Sequence, residues 1–331
     1  MRCQELPEQS VMILNKNERY STKMKEEFYF KSSDKKTKIH AVMWKPEGKP
    51  RAVLQISHGM IEYIERYDDF ANFLNKAGIL VVGNDHLGHG KSVTDQSEWG
   101  YFAPEKGGAI VCRDLLKLTK KVKKSYPDIP YFLLGHSMGS FMARRYIINY
   151  GEMLDGVIVM GTGNQPMPLL MAGRALSGVL GKIYGDHHRS RLAAKISFGA
   201  YNKRINNPAS PNAWLSRDEE QVNKYDNTPE CTFLFTVKGF DQMFETIEYV
   251  ENSKHIEHIP KDLPIMVISG TEDPVGAYRK DVRKVYDAFC KAGITDVTLT
   301  MIEGARHEVL NETDRQETYE KILDWLNERI K

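Results

Sequence analysis

The stretch YFLLGHSMGSFMARRY, Tyr131 to Tyr146, constrains the fold of this chain more than any other. Tyr131, Phe132, Leu133 and Leu134 read as a short buried strand and Phe141 to Ile148 as a helix, so Gly135-His136-Ser137-Met138-Gly139 is the turn between them. Residues without a Cβ two places before and two places after Ser137 let the two backbones approach closely. The serine at the apex is then forced into a strained conformation that turns its Oγ outward. An incidental serine in a glycine-rich turn would show the same five letters, but a position between buried strand and helix is the one an exposed nucleophile requires.

The rest of the chain has a rhythm that this turn fits. Glu27 to Trp44 alternates around Ser33-Asp34-Lys35-Lys36 like a hairpin, and residues 1–26 form a polar N-terminal extension. Ala52 to Ser57, Ile79 to Val82, Val157 to Met160, Pro264 to Ser269 and Val297 to Met301 read as strands. Between and after them, Tyr67–Ala77, Val111–Val122, Val282–Phe289 and Tyr319–Ile330 carry apolar residues at helical spacing. Alternating strand and helix predict an α/β fold, a mainly parallel sheet covered by helices on both faces. Residues 164–259 break the rhythm and are expected to form a mostly helical cap inserted between core segments 27–163 and 260–331. Leu169, Leu176, Leu180 and Ile183 mark an amphipathic helix in it, either packing on the core or lining an acyl tunnel. Gly173, Gly178 and Gly181 weaken that helix, which suggests mobility over the site.

Composition excludes several classes. With 46 basic and 44 acidic side chains the net charge is +2, which gives no reason to expect nucleic acid as a partner. Four separated cysteines with no C-x-x-C pair fit a reduced, cytoplasmic compartment, and no apolar run approaches a membrane span. Lys117, Lys120, Lys121 and Lys124 surround the buried positions Leu118 and Val122, which a solvated helix face explains. Peripheral contact with lipid stays open, and nothing in the chain specifies an oligomeric state.

A serine hydroxyl needs a base, and the base needs an acid to hold its tautomer. An elbow of this kind takes its acid and then its histidine from loops after later strands. Strand Pro264–Ser269 runs into Gly270-Thr271-Glu272-Asp273-Pro274, and Val297–Met301 into Glu303-Gly304-Ala305-Arg306-His307. Both loops emerge at the sheet edge where the elbow lies. Spacing does not choose between Glu272 and Asp273. Backbone N–H groups of Met60, in the turn His58-Gly59-Met60, and of Met138 are positioned to form an oxyanion hole. His86 and His89 lack a third ligand at metal-site spacing and read as turn residues or supports, and His187-His188 as surface. No metal or cofactor is implied.

Five segments in register resemble the monoacylglycerol lipase and lysophospholipase branch of the α/β-hydrolases, which also includes serine aminopeptidases. They are His58-Gly59-Met60 with Glu62, Arg66 and Tyr67; Asp85-His86-Leu87-Gly88-His89-Gly90-Lys91-Ser92; Gly135-His136-Ser137-Met138-Gly139; Gly270-Thr271-Glu272-Asp273-Pro274-Val275; and Gly304-Ala305-Arg306-His307-Glu308. The resemblance covers the chain from about Glu27 onward and implies the α/β-hydrolase fold. It implies Ser137 as nucleophile, Asp273 rather than Glu272 as acid, His307 as base, and the Met60 and Met138 N–H groups as oxyanion donors. The chain departs from the branch at Tyr63, where a histidine is common, and at Ser140, where a third glycine is common. Tyr63 follows an oxyanion donor closely and so bears on leaving-group preference. Glu62, Tyr63, Arg66, Leu176 and Leu180 are the candidate substrate contacts. The implied activity is hydrolysis of single-chain lipid esters, lysophospholipid or monoacylglycerol. The alternatives are a short-chain esterase, a serine aminopeptidase, or a non-catalytic binding protein on the same scaffold.

Overall fold

The computed structural model describes residues 24–330, so most of the expected N-terminal extension lies outside the described residues. The first strand begins at Lys25, so the last two residues of the expected extension belong to the sheet. β1 (Lys25–Lys31) and β2 (Lys38–Trp44) form the hairpin, and its turn is fixed by Asp34, whose Oδ1 accepts the N–H of Lys36 and Thr37 at 2.7 and 2.9 Å. β3 (Ala52–Ser57), α1 (Asp68–Lys76), β4 (Ile79–Asn84), α2 (Gly107–Ser125), β5 (Tyr131–His136), α3 (Met138–Tyr150) and β6 (Gly156–Met160) then alternate. The insertion follows as α4 (Met167–Tyr184), α5 (Arg191–Phe198), α6 (Glu219–Asp226), α7 (Val237–Glu251) and α8 (Ser253–Ile256). β7 (Ile265–Gly270), α9 (Lys280–Lys291), β8 (Val297–Ile302) and α10 (Arg315–Asn327) complete the core.

The eight strands form one sheet in the order β1-β2-β4-β3-β5-β6-β7-β8, antiparallel at β1–β2 and β2–β4 and parallel elsewhere. Period-2 alternation sends successive residues of each strand to opposite faces. Val53, Leu80, Leu133, Val157 and Val267 enter the core shared with α2, α3 and α9, whereas Leu54, Val81, Phe132, Ile158 and Met266 enter the one beneath α1 and α10. Both faces are therefore apolar, which is why the central strands read as continuous hydrophobic runs. Parallel strands bring the loops after β3, β5, β6, β7 and β8 to one edge, and the helical cap sits in the chain between two of them.

Inside the cap, α4 lies along α7, and Gly173 faces it. A Cβ there would fall 2.7 Å from Phe244 Cε2, so this glycine makes room for the packing of α7. The expected apolar stripe on α4 is split. Leu170 and Ser177 are its buried residues, Leu176 and Leu180 are half-buried, and Leu169 and Ile183 are exposed. On α2, Leu118 and Val122 are buried and Lys117, Lys120, Lys121 and Lys124 exposed, as a solvated face requires.

Candidate active site

The turn between β5 and α3 holds Ser137 at φ 53°, ψ −120°, a region that side-chain-bearing residues rarely occupy. Two glycines make the turn possible. A Cβ on Gly139 would overlap the Ser57 carbonyl, and one on Gly135 would overlap the Gly139 carbonyl. The Ser137 N–H donates to Met160 O at 3.0 Å, which pins the apex to the next strand. Ser140, in the place of a third glycine, donates its hydroxyl to Ser137 O at 2.6 Å.

Asp273 and His307 meet across the loops after β7 and β8. His307 Nδ1 lies 3.0 Å from each carboxylate oxygen of Asp273, and both side chains are buried. Asp273 also accepts the Val275 N–H at 2.8 Å and the Ser269 hydroxyl at 3.0 Å. Burial opposes its charge, but the charge and hydrogen bond of His307, with these two donors, hold the carboxyl below the usual aspartate range. Nδ1–H therefore faces a carboxylate, leaving Nε2 as the lone-pair nitrogen, buried with no protein partner. Glu272, the residue spacing could not exclude, is exposed. Geometry separates the two.

Ser137, His307, Met60 and Met138 line one cavity of about 500 Å³. Much of its wall is cap: Leu169, Leu170 and Leu176 from α4, Phe198 from α5, Phe240, Met243, Phe244 and Ile247 from α7, and Trp214. Its size and apolar lining suit a small organic ligand with an aliphatic part. The structure takes three expected substrate contacts out of the wall. Leu180 lies one helical turn beyond Leu176, past the end of the cavity. Tyr63 packs in a satellite cluster with Leu215, Tyr225 and Cys231. Arg66 is saturated by carboxylates: Nη1 donates to Glu62 Oε2 and Glu308 Oε1, and Nη2 to Glu308 Oε2, each at 2.7 Å.

Glu62 does line the cavity but is the hub of a buried network. It accepts the Gly59 N–H, the Tyr67 hydroxyl at 3.0 Å and His136 Nδ1–H at 3.1 Å. Burial disfavours its charge, yet His136 and Arg66 keep it ionised well below the glutamate range. His136 is pulled down by burial and more strongly up by Glu62, so its net shift is upward. The network joins the Gly59-Met60 turn, the elbow at His136 and the histidine loop at Glu308. In sequence these residues stand in separate segments; their junction spans Glu62 to Glu308, a separation no local signal reveals.

The other histidines support backbone. His58 donates Nδ1–H to Gly59 O at 2.7 Å and accepts the His86 N–H at 3.0 Å, while His86 Nε2 meets Ser57 Oγ at 3.0 Å. Burial pushes the imidazole of His89 down to about 3, so it is neutral. Among the described residues no group of three or more His, Cys, Asp or Glu could hold a metal. His187 lies on the surface, stacked on Tyr101 at 3.9 Å. A contribution from the cap has no signal in the sequence: Trp214 O and Leu215 O accept the N–H of His307 and Glu308 at 3.4 and 2.7 Å, so the cap grips the histidine loop. The cavity-lining residues of α7, at positions 240, 243, 244 and 247, are likewise absent from the sequence expectations, although their helical spacing is a local signal that marks them.

Comparisons with known proteins agree with this geometry. The profile of the family described as "Serine aminopeptidase, S33" matches residues 48–314. Monoglyceride lipase of Rattus norvegicus is 28% identical over 291 residues, 87% of this chain and 86% of the rat protein. A monoglyceride lipase homolog of Monkeypox virus is 28% identical over 296 residues, 88% of this chain and 95% of the viral one. The crystal structure of a highly thermostable carboxyl esterase from Bacillus coagulans, in complex with glycerol, is similar at TM-score 0.87 and 31% identity, covering 94% of this chain and 100% of that one. An elbow serine, a buried acid–histidine pair and a family profile across most of the length converge: this chain is an α/β-hydrolase and belongs to the serine aminopeptidase S33 family.

Proposed function

We propose that this chain is a carboxylester hydrolase that cleaves single-chain lipid esters, monoacylglycerol or lysophospholipid, through an acyl-enzyme on Ser137. The observation that carries the reading is that strained Ser137 and Asp273-anchored His307 line one mainly apolar cavity. The names of the relatives favour monoacylglycerol of the two.

Asp273 keeps the His307 proton on Nδ1, so Nε2 takes the Ser137 proton as Oγ attacks the ester carbonyl. The carbonyl π electrons move to oxygen, and the N–H groups of Met60 and Met138 receive that charge. Met138 is the first residue of α3, where N–H groups lack intrahelical acceptors. Each such donor contributes about 3 kcal/mol in the transition state. The tetrahedral intermediate collapses, the C–O bond breaks, and the imidazolium gives its proton to the leaving alcohol oxygen. Water then loses a proton to Nε2 and attacks the acyl carbon. Collapse releases the fatty acid, and Ser137 recovers its proton. An aminopeptidase would need a carboxylate free to pair with the substrate amine. Glu62 and Glu308, which line the cavity, are already bonded to His136 and Arg66, and this favours the ester.

The test is labelling by a fluorophosphonate together with an ester panel. Wild type reacts and Ser137→Ala does not while remaining folded, and kcat/KM rises from acetyl to long acyl esters and exceeds that on an aminoacyl amide. Equal labelling of both proteins would remove Ser137 from the mechanism.

A further inference from the structure

The helix that starts at Ser137 contains a charge the chemistry above does not use. Arg144 is 2% exposed, seven residues after the nucleophile, two turns down the same helix. It makes no ion pair among the described residues. Burying a guanidinium is costly unless its donors are used, and an apolar side chain could fill the space without that cost. Nε is buried without a hydrogen-bond partner, and the Nη donors go to two places. Nη1 donates to Gly163 O at 3.0 Å and to Thr162 Oγ1 at 3.4 Å, and Nη2 donates to Val250 O at 3.2 Å. Gly163 lies where the chain leaves β6 for the cap. Val250 is the penultimate residue of α7, where the chain comes back, and its carbonyl is among those a helix C-terminus leaves unpaired. Glu251, next to it, accepts the Gln165 N–H at 2.7 Å and closes the two connections against each other.

Both connections lead directly to the cavity. Gln165 lines it, as do Phe240, Met243, Phe244 and Ile247 of α7, and α4 rests on α7. The entry segment also abuts the acid loop, since a Cβ on Gly163 would fall 2.6 Å from Val275 O, and Val275 N–H is a donor to Asp273. Resting on the esterase reading, we propose that Arg144 is a positioning residue that ties both connections of the cap to the nucleophile helix and so fixes the acyl-binding wall in register with Ser137. It touches neither substrate nor reacting atoms. Loss of its donors should loosen the grip on an acyl chain more than the bond-breaking step.

Arg144→Met keeps the bulk and removes every donor; Arg144→Lys keeps the charge and some donors. Both are compared with wild type for fluorophosphonate labelling, for kcat and KM on acetyl, lauroyl and palmitoyl esters, and for amide deuterium exchange. The expected result for Arg144→Met is undiminished labelling and loss on palmitoyl ester about tenfold greater than on acetyl ester, carried mainly by KM. Exchange should quicken at residues 163–166 and 248–256 but not in β5 or β7, and Arg144→Lys should recover part of both effects. If Arg144→Met does not fold, the same comparison is read on Arg144→Lys. Equal loss at every acyl length, or exchange at the two connections that stays at the wild-type rate, overturns the proposal. Wild type that fails to label would instead overturn the esterase reading, and the exchange comparison would still decide the role of Arg144.

Discussion

Glu272 and Asp273 are neighbours of the same charge, yet only one faces His307. The loop after β7 leaves Glu272 exposed and buries Asp273 under three kinds of donor: an imidazole N–H, the Val275 N–H and the Ser269 hydroxyl. Spacing could not supply that choice, because a one-residue step in a loop has no periodicity to read. If Asp273 fixes the tautomer of His307, Asp273→Asn places a donor against Nδ1 and favours the wrong tautomer. It should lower kcat by up to about 10⁴-fold. Glu272→Gln should stay within about twofold of wild type, since surface changes away from such features have small effects. Steady-state kinetics on a soluble ester, with melting temperature as a fold control, measure both. A larger loss for Glu272→Gln would reassign the acid. Arg66 poses a related difficulty: sequence exposes its charge but not the two carboxylates, 4 and 242 positions away, that it bonds.

At the scale of elements, legibility followed the distance over which a signal acts. The central strands and crossover helices were readable because burial on both faces writes continuous apolar runs and because helical periodicity is local. The order of elbow, acid loop and histidine loop was readable because parallel strands all deliver their ends to one edge. The cap resisted, since α4 and α5 carry apolar residues on exposed as well as buried faces and no single stripe marks the interior. Leu176 and Leu180 illustrate the difference. Both are half-buried on α4, but only Leu176 lines the cavity. Each methylene buried there contributes up to about 0.8 kcal/mol to binding. Leu176→Trp should therefore shorten the preferred acyl chain, cutting kcat/KM on palmitoyl ester by about tenfold or more while sparing acetyl ester. Leu180→Trp should leave the chain-length profile in place. Matching profiles for the two variants would mean that the cavity wall does not hold the acyl chain.

For the molecule as a whole, the remaining matter is how a substrate reaches Ser137, half-buried in a cavity walled largely by the cap. Leu169, Met171, Val179, Ile183, Leu192 and Ile196 of α4 and α5 are 53–64% exposed, far more apolar surface than scattered single residues would present. Leu169 and Ile196 also line the cavity, so the exposed face runs into the interior. Lys182, Arg191 and Lys195 lie on the same two helices and make no ion pair among the described residues. No helix among the described residues is long and apolar enough to cross a membrane. Exposed apolar and basic side chains on helices that do not span are a combination that fits contact with a lipid surface, and the following outcomes test that contact. Each apolar side chain that leaves water contributes about 1.5–3 kcal/mol and each cation about 1 kcal/mol near an anionic surface. Val179 and Ile183 carry this face without lining the cavity, so the double variant Val179→Glu/Ile183→Glu isolates the contact from catalysis. It should co-sediment poorly with phosphatidylglycerol-containing vesicles and lose about tenfold or more of its activity on monoacylglycerol held in them. Its fluorophosphonate labelling and its hydrolysis of a water-soluble acetyl ester should match wild type. Wild-type binding should weaken as salt is raised, because the cationic part is screened over about 10 Å at 0.1 M. Vesicle binding that survives both glutamates would show that the protein meets lipid through another face, or that substrate reaches Ser137 from solution.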